Sequence, residues 1–181
     1  MSLKNVVAGT NVPHEINVII EISAHSDPVK YEVEKESGVL MVDRFLSTPM
    51  HYPCNYGFIP DTLCDDGDPA DVLVITPFPV ISGSIITCRP VGMLIMEDES
   101  GEDNKIIAVP TSKITHVYDD IKEPKDLPLP KLDLIEHFFS NYKALEKDKW
   151  VKVNGWKSTA ESKQFIVESV ESYKATEASK S

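Results

Sequence analysis

The sequence contains few cysteines, and none is spaced for a common structural role. Cys54, Cys64 and Cys88 are the three cysteines in 181 residues, and they form neither a CxxC pair nor a Cys/His zinc pattern. The five histidines likewise lack metal-ligand spacing. We therefore expect reduced, buried thiols, and histidines that belong to the surface, the core or an interface.

Basic residues are scarce relative to acidic ones. The chain has 18 Lys and Arg against 29 Asp and Glu, a formal net charge of -11 at pH 7. A general nucleic-acid binder needs excess positive charge to displace counterions from the phosphate backbone. This composition therefore argues against a nucleic-acid partner.

Long apolar runs are also missing. No segment approaches the ~20 apolar residues that span a bilayer. The opening residues 1–4 lack the apolar stretch of a signal peptide. We expect a soluble, cytoplasmic chain with no membrane partner.

The remaining composition is that of an ordinary globular protein, with 41% hydrophobic and 26% charged residues. At this length one compact domain is the default. We expect residues 1–181 to form a single domain, with a polar tail at about 174–181 that frays.

Short β patterns fill the first two thirds of the chain. In residues 16–22, Ile16, Val18, Ile20 and Ile22 alternate onto one side, and Glu21 falls on the other. The other predicted strands lie at residues 30–35, 39–45, 72–76, 85–96 and 105–109, the first two joined by a Ser37-Gly38 turn. Strands without intervening helices favour an antiparallel sheet or a small barrel.

Helical patterns come late. From Lys131 to Leu145 apolar residues recur at three- and four-residue steps, which predicts an amphipathic helix. A second helix is predicted from about Thr159 to Tyr173, preceded by Ser158 at capping-box spacing. The predicted fold class is α+β, a β-barrel-like body with two C-terminal helices packed against it.

The most informative segment is the acidic loop before the strand at residues 72–76. Gly67 and Pro69 impose a tight bend, so we expect Asp66, Asp68 and Asp71 to converge on one point. Their hard oxygen donors suit Mg²⁺, Mn²⁺ or Ca²⁺. A solvated acidic turn explains Asp-Gly-Asp alone equally well. An EF-hand does not fit, because its Gly and Glu positions are occupied by other residues.

A second acidic cluster, residues 97–103, contains five acids. Taken alone it is more often a solvated hairpin loop. Basic and phenolic groups, however, occur at comparable strand ends: Lys30, Arg44, Tyr56, Lys105, Tyr142 and Lys143. Metal ions held by the acidic loops on one side, with Lys and Arg side chains on the other, would suit a small, highly charged phosphate substrate.

Six segments together resemble one enzyme family. They are residues 30–32, 43–44, 52–57, 66–71, 101–105 and 142–143. In order and spacing they are similar to the bacterial branch of the soluble family I inorganic pyrophosphatases, over about residues 12–172. The resemblance implies an OB-like five-stranded antiparallel β-barrel, Mg²⁺-dependent hydrolysis of diphosphate to two phosphates, and a homohexamer.

The resemblance also implies a role for each matched residue. Asp66, Asp71, Asp98 and Asp103 match metal ligands, and Asp68 matches the general base. The residues that match phosphate-binding positions are Lys30, Arg44, Tyr56, Lys105, Tyr142 and Lys143. Glu21 and Glu32 match supporting carboxylates.

Two positions depart from the commonest family pattern. Ala70 replaces a larger aliphatic residue, and Phe58 stands where a second tyrosine is frequent. Neither is a ligand position. The departure at Ala70 predicts looser packing beneath the metal loop.

Two other functions are compatible with the residues themselves. The first is a phosphohydrolase acting on nucleotides or phosphomonoesters, because Asp66-Gly-Asp68 partly resembles the DxDx[TV] motif, although Ala70 occupies its Thr/Val position. The second is a non-catalytic acidic barrel that binds metal. For the pyrophosphatase interpretation, Mn²⁺ is a possible substitute for Mg²⁺. Ca²⁺ is expected to inhibit, because it accepts the same ligands with looser geometry.

Overall fold

The computed structural model describes residue 3 and residues 5–179. In this part of the chain there are nine strands and two helices, with a short 3₁₀ turn at Pro124–Asp126. The strands are β1 (Ile16–Ile22), β2 (Val29–Val33), β3 (Leu40–Phe45), β4 (Asn55–Phe58), β5 (Asp71–Val74), β6 (Ile85–Asp98), β7 (Gly101–Glu102), β8 (Lys105–Pro110) and β9 (Val151–Lys157). The helices are α1 (Leu129–Asn141) and α2 (Thr159–Ser179).

Five strands close into a ring. β1 pairs with both β4 and β6, and β5 and β8 complete the circuit β1–β4–β5–β8–β6. The predicted five-stranded body with two helices is confirmed in this ring-like form. One pairing differs from the antiparallel expectation, because β5 and β8 run parallel. β6 lies between β5 and β8 in the sequence and runs antiparallel to β8, so the chain has reversed direction before β8 pairs with β5.

Three strands of the sheet, β4, the two-residue β7 and β9, were not predicted as strands. β4 is only four residues long and contains Asn55 and Gly57, which are disfavoured in strands. β9 contains Asn154-Gly155 and is largely exposed along one side, and it pairs with β6 outside the ring. Closure through β4 therefore depends on a segment whose local signal is weak.

A β-bulge at Glu21 interrupts the alternation of side chains along β1. Ile20 lies opposite Gly57 and Ile22 opposite Tyr56, so Glu21 is the extra residue between them. Ile20 packs in one core cluster and Ile22 in the other. The expectation that Ile22 shares a face with Ile20 is therefore wrong, because a bulge breaks the two-residue period.

β2 and β3 form a hairpin of their own, apart from the main sheet. The predicted turn at Ser37-Gly38 is confirmed, and Lys30 pairs with Arg44 across the two strands. Hydrogen bonds join this hairpin to Glu21 of β1 and to Asp68 of the acidic loop.

The helices are confirmed with different ends. α1 starts at Leu129 and stops at Asn141, so Leu145, predicted on its apolar face, lies beyond it and is 69% exposed. α2 continues past Tyr173 to Ser179, so residues 174–179, for which a frayed tail is expected, are helical in the structure. Alanine, glutamate and lysine in that stretch favour helix even where no apolar face continues. Residues 180–181 lie outside the described residues. Among the described helices, none has both the length and the apolar character needed to cross a membrane.

Candidate active site

All the residues predicted for the site line one cleft of about 730 Å³. The cleft lies between the strand ring, the β2–β3 hairpin and the segment that follows α1. Its lining includes the acidic residues Glu21, Glu32, Asp66, Asp68, Asp71, Asp98 and Asp103, and the basic and phenolic residues Lys30, Arg44, Tyr56, Lys105, Tyr142 and Lys143. The structure thus brings together residues that are up to 122 positions apart in the printed sequence.

The acidic loop is held by its own backbone. Gly67 has a φ of +87°, a left-handed conformation that favours glycine. The Cys64 amide donates to the Asp68 carbonyl at 2.8 Å, and the Asp68 amide donates to Asp66 Oδ1 at 2.9 Å. Asp66 and Asp68 are exposed at the cleft. Asp71 is the first residue of β5 and is less exposed than these two.

The base of this loop is tied by a buried threonine. The Ala70 amide donates to Thr62 Oγ1 at 2.9 Å, and Thr62 Oγ1 donates to the Ile59 carbonyl at 2.6 Å. Ala70 is fully buried. The alanine therefore lies in the packed layer under the loop, and its effect on packing stays a prediction.

A buried lysine joins two of the aspartates. Lys105 Nζ donates to Asp71 Oδ2 at 2.5 Å and also pairs with Asp103. Burial disfavours the charged ammonium, but the two carboxylates outweigh that effect and raise the pKa of Lys105. Burial raises the pKa of Asp71, an effect that Lys105 opposes and Asp103 reinforces. The lysine is thus held as a cation.

The sequence predicts that Asp66, Asp68 and Asp71 converge on one point. In the structure Asp71 is paired with Lys105, which also pairs with Asp103. Within residues 3 and 5–179, no three acidic, histidine or cysteine side chains lie close enough together to hold a metal ion as they stand. Carboxylates repel one another at short distance unless a cation lies between them. In this structure Lys105 is the cation between Asp71 and Asp103.

The second acidic cluster faces the chain segment after α1. Lys143 Nζ donates to Asp98 Oδ2 at 2.6 Å and lies 3.7 Å from Glu99. Asp98 and Lys143 are both buried. Burial raises the pKa of Glu99, but the ion pairs with Lys149 and Lys143 more than offset this and lower it to about 2. Glu99 is therefore ionised.

The hairpin supplies the opposite wall of the cleft. Lys30 Nζ lies 2.5 Å from Glu32 Oε1 and 3.4 Å from Asp43. Arg44 Nη1 donates to Asp43 at 3.1 Å, and Arg44 Nε lies 3.5 Å from Glu146. Burial disfavours the charged ammonium, but Glu32 and Asp43 outweigh this and raise the pKa of Lys30. Both cations are positioned by acidic neighbours before any ligand binds.

Two tyrosine side chains lie beside the buried lysines Lys105 and Lys143. The ring of Tyr56 lies 5.7 Å from Lys105 Nζ, and the ring of Tyr142 lies 5.6 Å from Lys143 Nζ. Burial raises the pKa of Tyr56 and of Tyr142 above the usual range of tyrosine. Both phenols therefore stay protonated and can donate hydrogen bonds.

Glu21 reaches the cleft through the β1 bulge. Its side chain is buried, and its Oε1 accepts a hydrogen bond from the Val33 amide at 2.7 Å. Burial raises the pKa of Glu21 to about 8, although this hydrogen bond opposes the shift. Glu21 thus ties the hairpin to the ring.

Several polar residues of the cleft were not predicted from the sequence, among them Lys35, Tyr52, Glu99 and Lys149. Glu99 lies inside the acidic cluster that was recognised, and Tyr52 lies inside a recognised segment. Lys35 and Lys149 occupy polar, exposed stretches and carry no signal in the sequence.

Acidic oxygen donors facing buried cations and phenols define a site for a small, multiply charged anion bound with metal. A family model described as inorganic pyrophosphatase matches residues 18–174. The chain belongs to the inorganic pyrophosphatase family. It is accordingly a hydrolase whose substrate is inorganic diphosphate.

Individual relatives agree over nearly the full length. The inorganic pyrophosphatase of Xanthomonas campestris pv. campestris is 57% identical over 173 residues, 96% of this chain and 97% of the relative. That of Escherichia coli K12 is 58% identical over 171 residues, 94% and 97% of the two chains. A crystal structure described as the inorganic phosphatase of Anaplasma phagocytophilum has a TM-score of 0.92 at 52% identity, covering 94% of this chain and 99% of that one.

Family membership implies a metal cofactor, and the residues of the cleft fit one. Asp66, Asp71 and Asp103 offer hard oxygen donors, the type that divalent cations such as Mg²⁺, Mn²⁺ and Ca²⁺ prefer. Asp71 and Asp103 already share a cation, the ammonium of Lys105. The pair therefore has both the charge and the proximity that cation binding requires.

Proposed function

We propose that this chain hydrolyses diphosphate with Mg²⁺ held by Asp66, Asp71, Asp98 and Asp103 and with Asp68 as the general base. The observation that carries the proposal is the single cleft in which the acidic loop faces the cations of the hairpin and of β8. When bound, the metal would lower the pKa of a water molecule and neutralise phosphate oxygens.

Mg²⁺ is the proposed metal because all the donors are carboxylate oxygens. Mn²⁺ accepts the same donors and is the proposed substitute. Ca²⁺ accepts them too, but with more ligands and looser geometry, so it is proposed to inhibit.

Asp68 suits the role of general base because its carboxylate is open to the cleft. Its side chain is 68% exposed, so water can reach it. The backbone on either side is held by the hydrogen bonds of the acidic loop. A fixed carboxylate at hydrogen-bonding distance from a water molecule can accept the proton that the water loses on attack.

The cations and phenols are proposed to bind the two phosphates. Lys30 and Arg44 approach from the hairpin and Lys143 from the segment after α1, so positive charge surrounds the substrate from two sides. Charge-assisted hydrogen bonds from such groups strengthen as negative charge builds on the leaving phosphate. Lys105, Tyr56 and Tyr142, which line the same cleft, complete the proposed set.

Glu21 and Glu32 are proposed to support this wall. Glu32 pairs with Lys30, and Glu21 binds the hairpin backbone at Val33. Loss of either glutamate would displace Lys30 and Arg44 even if the glutamate does not contact the substrate.

Phosphate release from diphosphate, with and without Mg²⁺, tests the proposal. We expect rapid release that EDTA abolishes, and little release from nucleotides or phosphomonoesters. Asp68→Asn should lower kcat by about 10²–10³, the usual cost of losing one group that acts in the transition state. A preference for an ester or nucleotide, or wild-type kcat in Asp68→Asn, would contradict it.

The homohexamer implied by the resemblance is likewise proposed for this chain. Large apolar side chains lie exposed, among them Phe78 (80%), Ile81 (79%) and Phe45 (74%), which supports burial between subunits. Sedimentation equilibrium should give six times the chain mass of 20.2 kDa. A monomer at micromolar concentration would contradict this proposal.

A cytoplasmic location is also proposed. All three cysteines are free thiols, as expected in a reducing compartment. Fractionation of cells that express the full chain tests this, and recovery with the membranes would contradict it.

A further inference from the structure

The carboxylate of Asp68 is bound by a side chain of the hairpin. Lys35 Nζ donates to Asp68 Oδ1 at 2.8 Å and lies 3.3 Å from the Gly67 carbonyl oxygen. Among the described residues, Lys35 is the only group that hydrogen bonds to this carboxylate. The loop hydrogen bonds engage the carbonyl and the amide of Asp68 and not its carboxylate.

The backbone of Lys35 is itself held in place. Lys35 begins the turn between β2 and β3, where Glu34 caps the turn by accepting hydrogen bonds from the Ser37 amide at 2.7 Å and the Glu36 amide at 3.0 Å. Two residues before Lys35, the Val33 amide is bound to the buried Glu21. The lysine therefore extends toward the acidic loop from a turn that is anchored to the ring.

We propose that Lys35 is a positioning residue for Asp68, directing its carboxylate toward the attacking water. This inference rests on the proposed role of Asp68 as general base. Orientation matters because a proton acceptor works only within hydrogen-bonding reach of its donor. Lys35 also links the hairpin, which carries Lys30 and Arg44, to the loop that carries the base.

A purely structural role is a poor explanation for this ion pair. Lys35 and Asp68 have side chains that are 67% and 68% exposed. Exposed ion pairs contribute little to folding stability, because water screens the charges and both side chains lose conformational freedom. The loss of Lys35 should therefore leave the melting temperature unchanged while it affects turnover.

The test uses the full chain and three single variants. Lys35→Met keeps the length and removes the charge, and Lys35→Arg keeps the charge. Lys157→Met is the matched control, because Lys157 forms an ion pair of similar length (2.9 Å) and exposure with Glu161, and neither residue lines the cleft. We expect Lys35→Met to lower kcat by about 10-fold or more with KM within about twofold. Lys35→Arg should recover most of the rate, and Lys157→Met should match the wild type.

A double variant separates this inference from the proposal on which it rests. In the Asp68→Asn background, measured by single turnover, Lys35→Met should have no further effect, since the two residues would act as one unit. If Asp68→Asn alone keeps wild-type turnover, the general-base role fails. If Asp68→Asn is impaired but Lys35→Met keeps wild-type kcat, only the positioning role fails. A rise in KM at constant kcat, or an undiminished effect in the double variant, would also overturn it, because Lys35 would then act on the substrate itself.

Discussion

The ammonium of Lys105 lies 2.5 Å from Asp71 Oδ2, and the same ammonium pairs with Asp103, although the side chain of Lys105 is only 3% exposed. Removing one member of such a buried group leaves an uncompensated charge in a poorly hydrated place. Lys105 therefore links the stability of the fold to the charge state of two proposed metal ligands.

Lys105→Met should destabilise the metal-free protein by about 3–5 kcal/mol, because Asp71 and Asp103 would then repel each other without a cation between them. Added Mg²⁺ should reduce this loss, since a divalent ion can take over the neutralising charge. Urea unfolding in EDTA and in Mg²⁺ measures both values.

Lys152→Met is the control for this measurement, because Lys152 forms an exposed ion pair with Glu97. It should change the free energy of unfolding by no more than about 0.5 kcal/mol. An equal loss for Lys105→Met with and without Mg²⁺ would contradict the expectation that Mg²⁺ takes over the neutralising charge of Lys105.

Asp71→Asn should lower kcat by about 10²–10³ at saturating Mg²⁺, because an amide keeps the size of the side chain but loses the charge that a metal ligand supplies. Steady-state phosphate release measures the effect. Asp133→Asn, an exposed position on α1 outside the cleft, should match the wild type. Undiminished turnover in Asp71→Asn would remove Asp71 from the proposed ligand set.

Glu21 should make the stability of the metal-free protein depend on pH. Burial raises its pKa from 4.5 to about 8, so the folded state binds this proton more tightly than the unfolded state does. The stability contributed by the protonated form is complete below pH 4.5 and is lost as the pH rises toward about 8. A neutral carboxyl still offers its carbonyl oxygen to the Val33 amide.

Glu21→Gln, which cannot ionise, should therefore gain stability relative to the wild type as the pH rises. The gain should reach at most about 5 kcal/mol across this window. Urea midpoints measured in EDTA at several pH values provide the comparison. Parallel curves for the two proteins would show that Glu21 titrates normally in the folded state.

Ca²⁺ should inhibit at constant free Mg²⁺, because it binds the same aspartates without the octahedral geometry of Mg²⁺. Phosphate release should cease in EDTA, return with Mg²⁺, and fall as Ca²⁺ is added while the concentration of magnesium diphosphate is held fixed. That last condition separates binding to the protein from capture of the substrate. Full activity with Ca²⁺ alone would contradict the prediction.

The sequence by itself determined the chemical types at the site and much of the secondary structure. The acidic loop, the cationic strand ends and the two helices were all visible in local patterns, because a bend needs Gly67 and Pro69 and a helix shows its apolar period. The order and spacing of six segments also sufficed to suggest the family.

Tertiary structure alone decided how these groups face one another. Closure of the ring through β4, the bulge that turns Glu21 into the cleft, the position of Lys105 between two aspartates and the reach of Lys35 to Asp68 all depend on contacts between distant segments. A local pattern records what one element buries. It cannot record strand register or which charge stands across a cleft, because those are set by the packing of the whole chain.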